Sequence, residues 1–140
     1  MDARAVYTET LKALARRHGS FGLPFGANRK ATESNAACGD RIEVALRTTG
    51  PDDAPVVEAT GFSASACLLC LASATLLAET LPSPGIDARK IVRETLAWLG
   101  TAEEPEPFGG LAPFRVVAEV PVRLGCVRLP WLAARSALGA

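Results

Sequence analysis

A chain of 140 residues fits one compact domain. Its 49% apolar and 21% charged composition is that of an ordinary globular protein, which needs no metal or disulfide merely to fold. Fifteen basic residues balance fifteen acidic ones, so no broad electropositive surface is expected and duplex nucleic acid is excluded as the main partner.

Residues from about Ala3 to His18 read as a helix, with Val6, Leu11, Leu14 and Ala15 near helical spacing. Arg16, Arg17 and His18 place cations at its C-terminal end, and Gly19 can close it. Ser20 to Asn35 carries Gly, Pro, Asn and Ser, so it reads as loop with room for one short edge strand. Arg41 to Thr48 alternates, with Ile42, Val44 and Leu46 on one face and Arg41, Glu43 and Arg47 on the other, which predicts a half-buried strand. Gly50-Pro51-Asp52-Asp53 is a turn, and Val56 to Phe62 is the returning strand of an antiparallel hairpin.

Ala66 to Leu81 is apolar nearly all round. It is shorter than the roughly 20 residues a membrane span needs and ends in Glu79, so a buried central helix is expected, capped by Ser63 or Ser65. Pro82-Ser83-Pro84-Gly85 stops it. Asp87 to Leu99 predicts an amphipathic helix with Ile91, Leu96 and Leu99 inward, and Gly100 to Gly110 a loop. Leu111 to Val120 fits either a short helix or a strand. Trp131 to Leu138 reads as the last helix, with Pro130 at its first position. The expected fold is α+β: a small antiparallel sheet of two to three strands with four to five helices packed on it, in a single domain.

Four cysteines in this length are not a disulfide framework, and Met1-Asp2-Ala3-Arg4 leads into a charged helix, not an apolar signal core. The expected compartment is cytoplasmic and reducing, with no membrane partner, where thiols serve as metal ligands or nucleophiles more often than as bridges. Cys38 and Asp40 flank Gly39, and an extended backbone turns both to one side. A thiolate and a carboxylate facing one way repel unless a cation lies between them. The competing reading is a tight turn in which Asp40 bonds its own backbone. Cys67 lies in the first turn of the buried helix, where the helix dipole favours thiolate. Cys70 is one turn further in and shares that face. Cys67-x-x-Cys70 lacks the βαβ context of a thioredoxin-like motif and the second ligand pair of a zinc finger, so by itself it reads as core. Cys126 follows Arg123, a cation able to offset thiolate charge, and alone it reads as a buried corner cysteine. His18, the single histidine, suits a dipole partner at a helix end better than a ligand.

Three blocks in order resemble the U-type iron–sulfur scaffold proteins, the family of IscU, SufU and the NifU N-terminal domain. Ala37-Cys38-Gly39-Asp40-Arg41-Ile42 resembles the family's Cys-Gly-Asp block running into a strand. Cys67 to Leu76 resembles its Cys followed by a small-residue helix containing Ala-Ser-Ala-Ser. Pro121 to Trp131 resembles the Pro-x-Arg-x-x-Cys-x-x-Leu-x-Trp block of the SufU branch. The resemblance implies a single domain over residues 1–140, with 1–36 as helix and loop atypical for the family and 37–140 as the core carrying the site. It implies a ligand set of Cys38, Asp40, Cys67 and Cys126 for zinc or for a [2Fe–2S] cluster and its iron.

The chain departs from the family in places. Arg17-His18-Gly19-Ser20-Phe21-Gly22 stands where relatives carry an Asn-Pro-Arg-Asn-like stretch tied to partner contact. Cys70 stands where relatives usually carry Ser, so it is read as a spare thiol beside the site. Gly125 replaces the His of the IscU branch, which points to the SufU branch. Pro130 falls where relatives run helix.

Three thiolates and one carboxylate give four ligands, soft enough to select zinc or iron–sulfur chemistry over magnesium or calcium. The function implied by the resemblance is a scaffold, not an enzyme, that assembles a [2Fe–2S] cluster and hands it to recipient apoproteins or a carrier. The alternative is a zinc-dependent sulfurtransferase working with a cysteine desulfurase, with Cys38 as persulfide acceptor. A diverged binding module and four unliganded core thiols are the remaining readings.

Overall fold

The computed structural model describes residues 7–82, 87–101 and 106–139. The expected helical positions before Tyr7, the Pro84-Gly85 stop and the centre of the loop after Gly100 lie outside them. Helix α1 spans Glu9–Arg16, and a 3-10 turn follows over Arg17–Ser20. Thr8 caps α1, its hydroxyl oxygen accepting from the Leu11 amide at 3.3 Å. Leu11, Leu14 and Ala15 are buried, as their spacing requires. Gly19 lies within the 3-10 turn and does not cap α1; Arg17 holds that position.

Strands β1 (Arg29–Asn35), β2 (Asp40–Thr49) and β3 (Val56–Ser65) form one antiparallel sheet in chain order. In β2, Ile42, Val44 and Leu46 are fully buried and face the core as predicted, while Arg41 is exposed. The edge strand expected somewhere between Ser20 and Asn35 is therefore β1, seven residues long and alternating in burial. A bulge between Arg47 and Thr48 shifts the β2–β3 register.

Helix α2 covers Leu68–Thr80 and is buried along nearly its whole length, which explains why its sequence has no polar face. It packs on α1, β3 and α4. Ser63 and Ser65 do not cap it, because both belong to β3; Cys67 is the N-cap residue. Helix α3 spans Ala88–Thr101, with Val92, Leu96 and Leu99 buried and Ile91 partly so. The ambiguous stretch after Leu111 resolves as the short helix, of 3-10 type, over Ala112–Glu119.

Helix α4 corrects the sequence reading most. It runs over Pro121–Leu138, so Pro121, not Pro130, opens it, and Cys126 is its sixth residue and not a corner residue. Pro130 sits inside the helix, where it has no N–H to give the Cys126 carbonyl. Ser73 of α2 holds the helix on either side of the proline. Ser73 of α2 donates to the Val127 carbonyl at 2.6 Å, and the buried Trp131 indole donates to Ser73 Oγ at 3.0 Å. These bonds pin α4 to α2 across the proline. The sheet, α2 and α4 then meet at the end of β2 that begins with Asp40.

Candidate metal centre

The turn between β1 and β2 builds the first part of the site. Asn35 closes it: its carbonyl accepts from the amides of Cys38 (3.3 Å) and Gly39 (2.8 Å), and its side-chain oxygen accepts from Ala37 N at 3.1 Å. Gly39 has φ +73°, the left-handed conformation that reverses the chain at little cost, so Cys38 and Asp40 both turn toward the helices.

Asp40 is 4% exposed and serves two neighbours. Its Oδ1 accepts from the Cys67 amide at 2.9 Å, which supplies from another element the cap that α2 lacks in its own sequence. Its Oδ2 is buried with no hydrogen-bond partner among the described residues. A buried, unpartnered carboxylate oxygen is expensive, and a cation is the natural neighbour for it.

Two thiols supply the rest of that neighbourhood. Cys38, Asp40 and Cys126 place one ligand atom each within 4.8 Å of one another. The Cys126 sulfur lies 2.9 Å from the Cys38 sulfur, and all four cysteines are free thiols. Around one tetrahedral ion with Zn–S near 2.3 Å, sulfurs stand about 3.7 Å apart, so the three atoms are gathered on the scale of a single ion. The donor set of two soft sulfurs and one oxygen also fits zinc or iron. The residues present therefore fit the group that the sequence blocks imply.

Cys67 stands at the rim. It interacts with Asp40 and Cys126 but lies outside the compact three-atom group. Burial pushes its thiol up from the ordinary value, while the Cys70 amide facing its sulfur, too loosely aligned for a cap hydrogen bond, acts the other way. The Cys126 thiol is pushed up by burial and by its contact with Cys38. Cys70 is fully buried, and burial raises its thiol strongly, followed by the nearby charge of Asp40. A cation among these groups would reverse the trend, since a coordinated thiol is deprotonated outright.

Two further residues shape the site. Arg123 lies beside Cys126 and Cys67, with its guanidinium 6.0 Å from the Tyr7 ring centre, and its charge is favoured first by Tyr7 and then by the two sulfurs. Arg123 is legible in the sequence as a cation near Cys126, whereas nothing in the sequence points to Tyr7. Asn35 is a further residue the site depends on, and an Asn opening an Asn-Ala-Ala-Cys-Gly turn is a recognisable signal for it. His18 bonds locally, its Nδ1 2.8 Å from the Ala15 carbonyl, in keeping with a role at the end of α1.

No family model matches the chain. Over 103 residues it is 23% identical to the zinc-dependent sulfurtransferase SufU of Bacillus subtilis (strain 168), a stretch covering 71% of this chain and 67% of that protein. Two solved structures share its fold at TM-score 0.81 and 20% identity, each aligned over 97% of this chain. One is a candidate iron–sulfur cluster assembly scaffold of the SUF system from Fervidobacterium islandicum AW-1, aligned over 98% of its length. The other is the N-terminal part of a NifU-like protein from Brucella abortus, aligned over 94%. The resemblance carried by the Cys38, Cys67 and Cys126 blocks is thus matched by both sequence and fold: the chain has the fold of the SufU- and NifU-like proteins, and its sequence similarity to a SufU protein supports the SufU branch.

Proposed function

We propose that this chain works in iron–sulfur cluster assembly as a sulfur acceptor, holding zinc through Cys38, Asp40, Cys67 and Cys126. The observation that carries this is the gathering of Cys38, Asp40 and Cys126 within 4.8 Å, with a buried carboxylate oxygen that has no hydrogen-bond partner among the described residues. The scale of that group suits one ion better than a cluster whose ligands divide between two irons. The similarity to a zinc-dependent sulfurtransferase supports the same reading.

When bound, zinc keeps its sulfur ligands as thiolates at neutral pH. The chain does the rest. Cys38 and Cys67 are both partly exposed, whereas Cys126 is fully buried in a helix; of the two reachable thiols, acceptance is assigned to Cys38, which lies on the turn beside Asp40. Its thiolate attacks the outer sulfur of a persulfide on a cysteine desulfurase. A new S–S bond forms on Cys38, the donor's S–S bond breaks, and the donor leaves as thiolate. Arg123 balances negative charge at the site during the exchange.

The second reading is a scaffold on which a [2Fe–2S] cluster is assembled and passed to recipient apoproteins or a carrier. The fold shared with the SUF-system scaffold candidate favours it. Metal analysis of anaerobically purified protein separates the two. One tightly held zinc per chain, with sulfur uptake from a desulfurase that Cys38→Ala abolishes, supports the acceptor. An empty site that takes up iron and sulfide with visible absorbance supports the scaffold. Full sulfur uptake by Cys38→Ala refutes the role given to Cys38.

A further inference from the structure

We infer that Cys70 is the resolving thiol of this site: it attacks a persulfide carried on Cys67 and releases the outer sulfur as sulfide. The inference rests on the sulfur-accepting reading above.

Cys67 and Cys70 are placed for a bond to each other. The Cys67 carbonyl accepts from the Leu71 amide at 3.0 Å, so residue 67 already lies on the α2 spiral. A three-residue step on that spiral separates Cα atoms by about 5 Å, inside the roughly 4.4–6.8 Å window of disulfides. The Cys70 amide faces the Cys67 sulfur, and the charged groups acting on Cys70 are Asp40, Cys67 and Cys38. Cys70 is one helical turn inside Cys67 and fully shielded from solvent and from outside thiols.

The outer positions suit the other half of the task. Cys67 is partly exposed and stands outside the compact Cys38–Asp40–Cys126 group, so of the four proposed ligands it is the one most readily freed to carry sulfur. Sulfur accepted at Cys38 reaches Cys67 by thiolate exchange within the site, each exchange forming one S–S bond and breaking one.

Iron–sulfur clusters contain sulfide, whereas a persulfide delivers sulfur that is two electrons more oxidised. The Cys67–Cys70 pair supplies both electrons. The Cys70 sulfur bonds to the inner sulfur of Cys67–S–S⁻, the Cys67 persulfide bond breaks, and HS⁻ leaves with the proton of Cys70. The products are one sulfide and one Cys67–Cys70 disulfide. A dithiol reductant then resets the pair for another round. The burial of Cys70 imposes order on the sequence: it can reduce only sulfur that has already arrived on Cys67.

The test is a single turnover without added reductant. The full chain is reduced, desalted anaerobically and mixed with a cysteine desulfurase and one equivalent of cysteine. Sulfide is measured, and the chain is mapped by peptide mass spectrometry. The wild-type chain is expected to release up to one sulfide with an equal amount of 67–70 disulfide, and a dithiol to restore a second turnover. Cys70→Ala is expected to take up sulfur normally, retain it as persulfide and release sulfide at least about tenfold more slowly. Equal sulfide release by Cys70→Ala, or sulfide release without a 67–70 disulfide, overturns the inference. If Cys70→Ala does not fold, the disulfide map of the wild-type chain decides alone. Failure of the wild-type chain to take up any sulfur defeats the acceptor reading itself, and this inference with it; normal uptake without the disulfide defeats only the role of Cys70.

Discussion

Helices α2 and α4 each bring a cysteine to the same pocket, but from different parts of a helix. Cys67 is the N-cap of α2, where the first amides have no partner within the helix and its own amide donates to Asp40. Cys126 is the sixth residue of α4, where its amide is spent in the helix, and its sulfur faces the Val122 carbonyl at 3.7 Å as well as Cys38. At Cys67 the backbone itself favours thiolate; at Cys126 it does not. Asp40 meets both, bonding the Cys67 amide and lying within 4.8 Å of the Cys126 sulfur, so the cation proposed for this site would offset its charge at the α4 side.

Removing Asp40 is the harshest test of that division. Asp40→Asn keeps an oxygen to accept from the Cys67 amide but loses the charge. It is expected to lower metal affinity by about 100-fold or more, at little cost in folding stability of the metal-free chain. Asp40→Ala loses both functions and is expected to cost about 1 kcal/mol further, through the missing cap. Equal thermal stability of the two metal-free variants would show that Asp40 does not cap α2. Unchanged zinc affinity in both, by competition with a chelator, would remove it from the ligand set.

Titration sharpens the same contrast, and its sign is opposite with and without metal. The thiols of Cys67 and Cys126 are raised by burial from an ordinary value of 9.0. In the metal-free chain the stability tied to them is complete below that value. It is lost as pH rises above it, because the unfolded thiols ionise first. Metal binding must displace those protons, so affinity is expected to rise with pH below 9, by about tenfold per unit for each proton displaced. Chelator competition from pH 6 to 8 reads the slope. A flat profile would mean that the thiols are not ligands.

The joint between the helices gives a purely structural prediction. Ser73→Ala leaves the Trp131 indole N–H and the Val127 carbonyl without the hydroxyl they share, both deep in the core. The expected cost is about 2 kcal/mol in denaturant unfolding, from a buried donor left unsatisfied. A much smaller loss would mean that Pro130 is held in α4 by packing alone.

How much of this was legible in the sequence follows the range of the interactions. Local rules found β2, because Ile42, Val44 and Leu46 alternate, and found α2, because an apolar run of that length has few other uses. They failed at the two helix starts that matter. Ser63 and Ser65 are sound caps by composition, but β3 continues through both, and the actual acceptor, Asp40, is 27 residues before Cys67. Pro130 is a sound helix start, but Ser73 and Trp131 hold the helix straight through it. The ligand set was suggested by block order and not by spacing. Only the fold shows Cys38, Asp40 and Cys126 together, with Cys67 at the rim.

The smallest expected effect lies at Gly125, where the two halves of the site touch. A Cβ there would meet Asn35 Nδ2 at 2.8 Å, so any side chain at 125 must displace the end of the Asn35 side chain. Gly125→Ala gains about 1 kcal/mol of helix propensity in α4 and loses a similar amount by displacing the Asn35 side chain. Net stability is therefore expected to change little. Metal affinity should still fall a few-fold, since Asn35 holds the turn that carries Cys38. In an Asn35→Ala background the clash is gone, and Gly125→Ala should become stabilising by about 1 kcal/mol with no further effect on metal. That sign change, read by a double-mutant cycle, ties the helix interior to the turn. Additive effects would place Gly125 outside the site and leave Cys126 positioned by α4 alone.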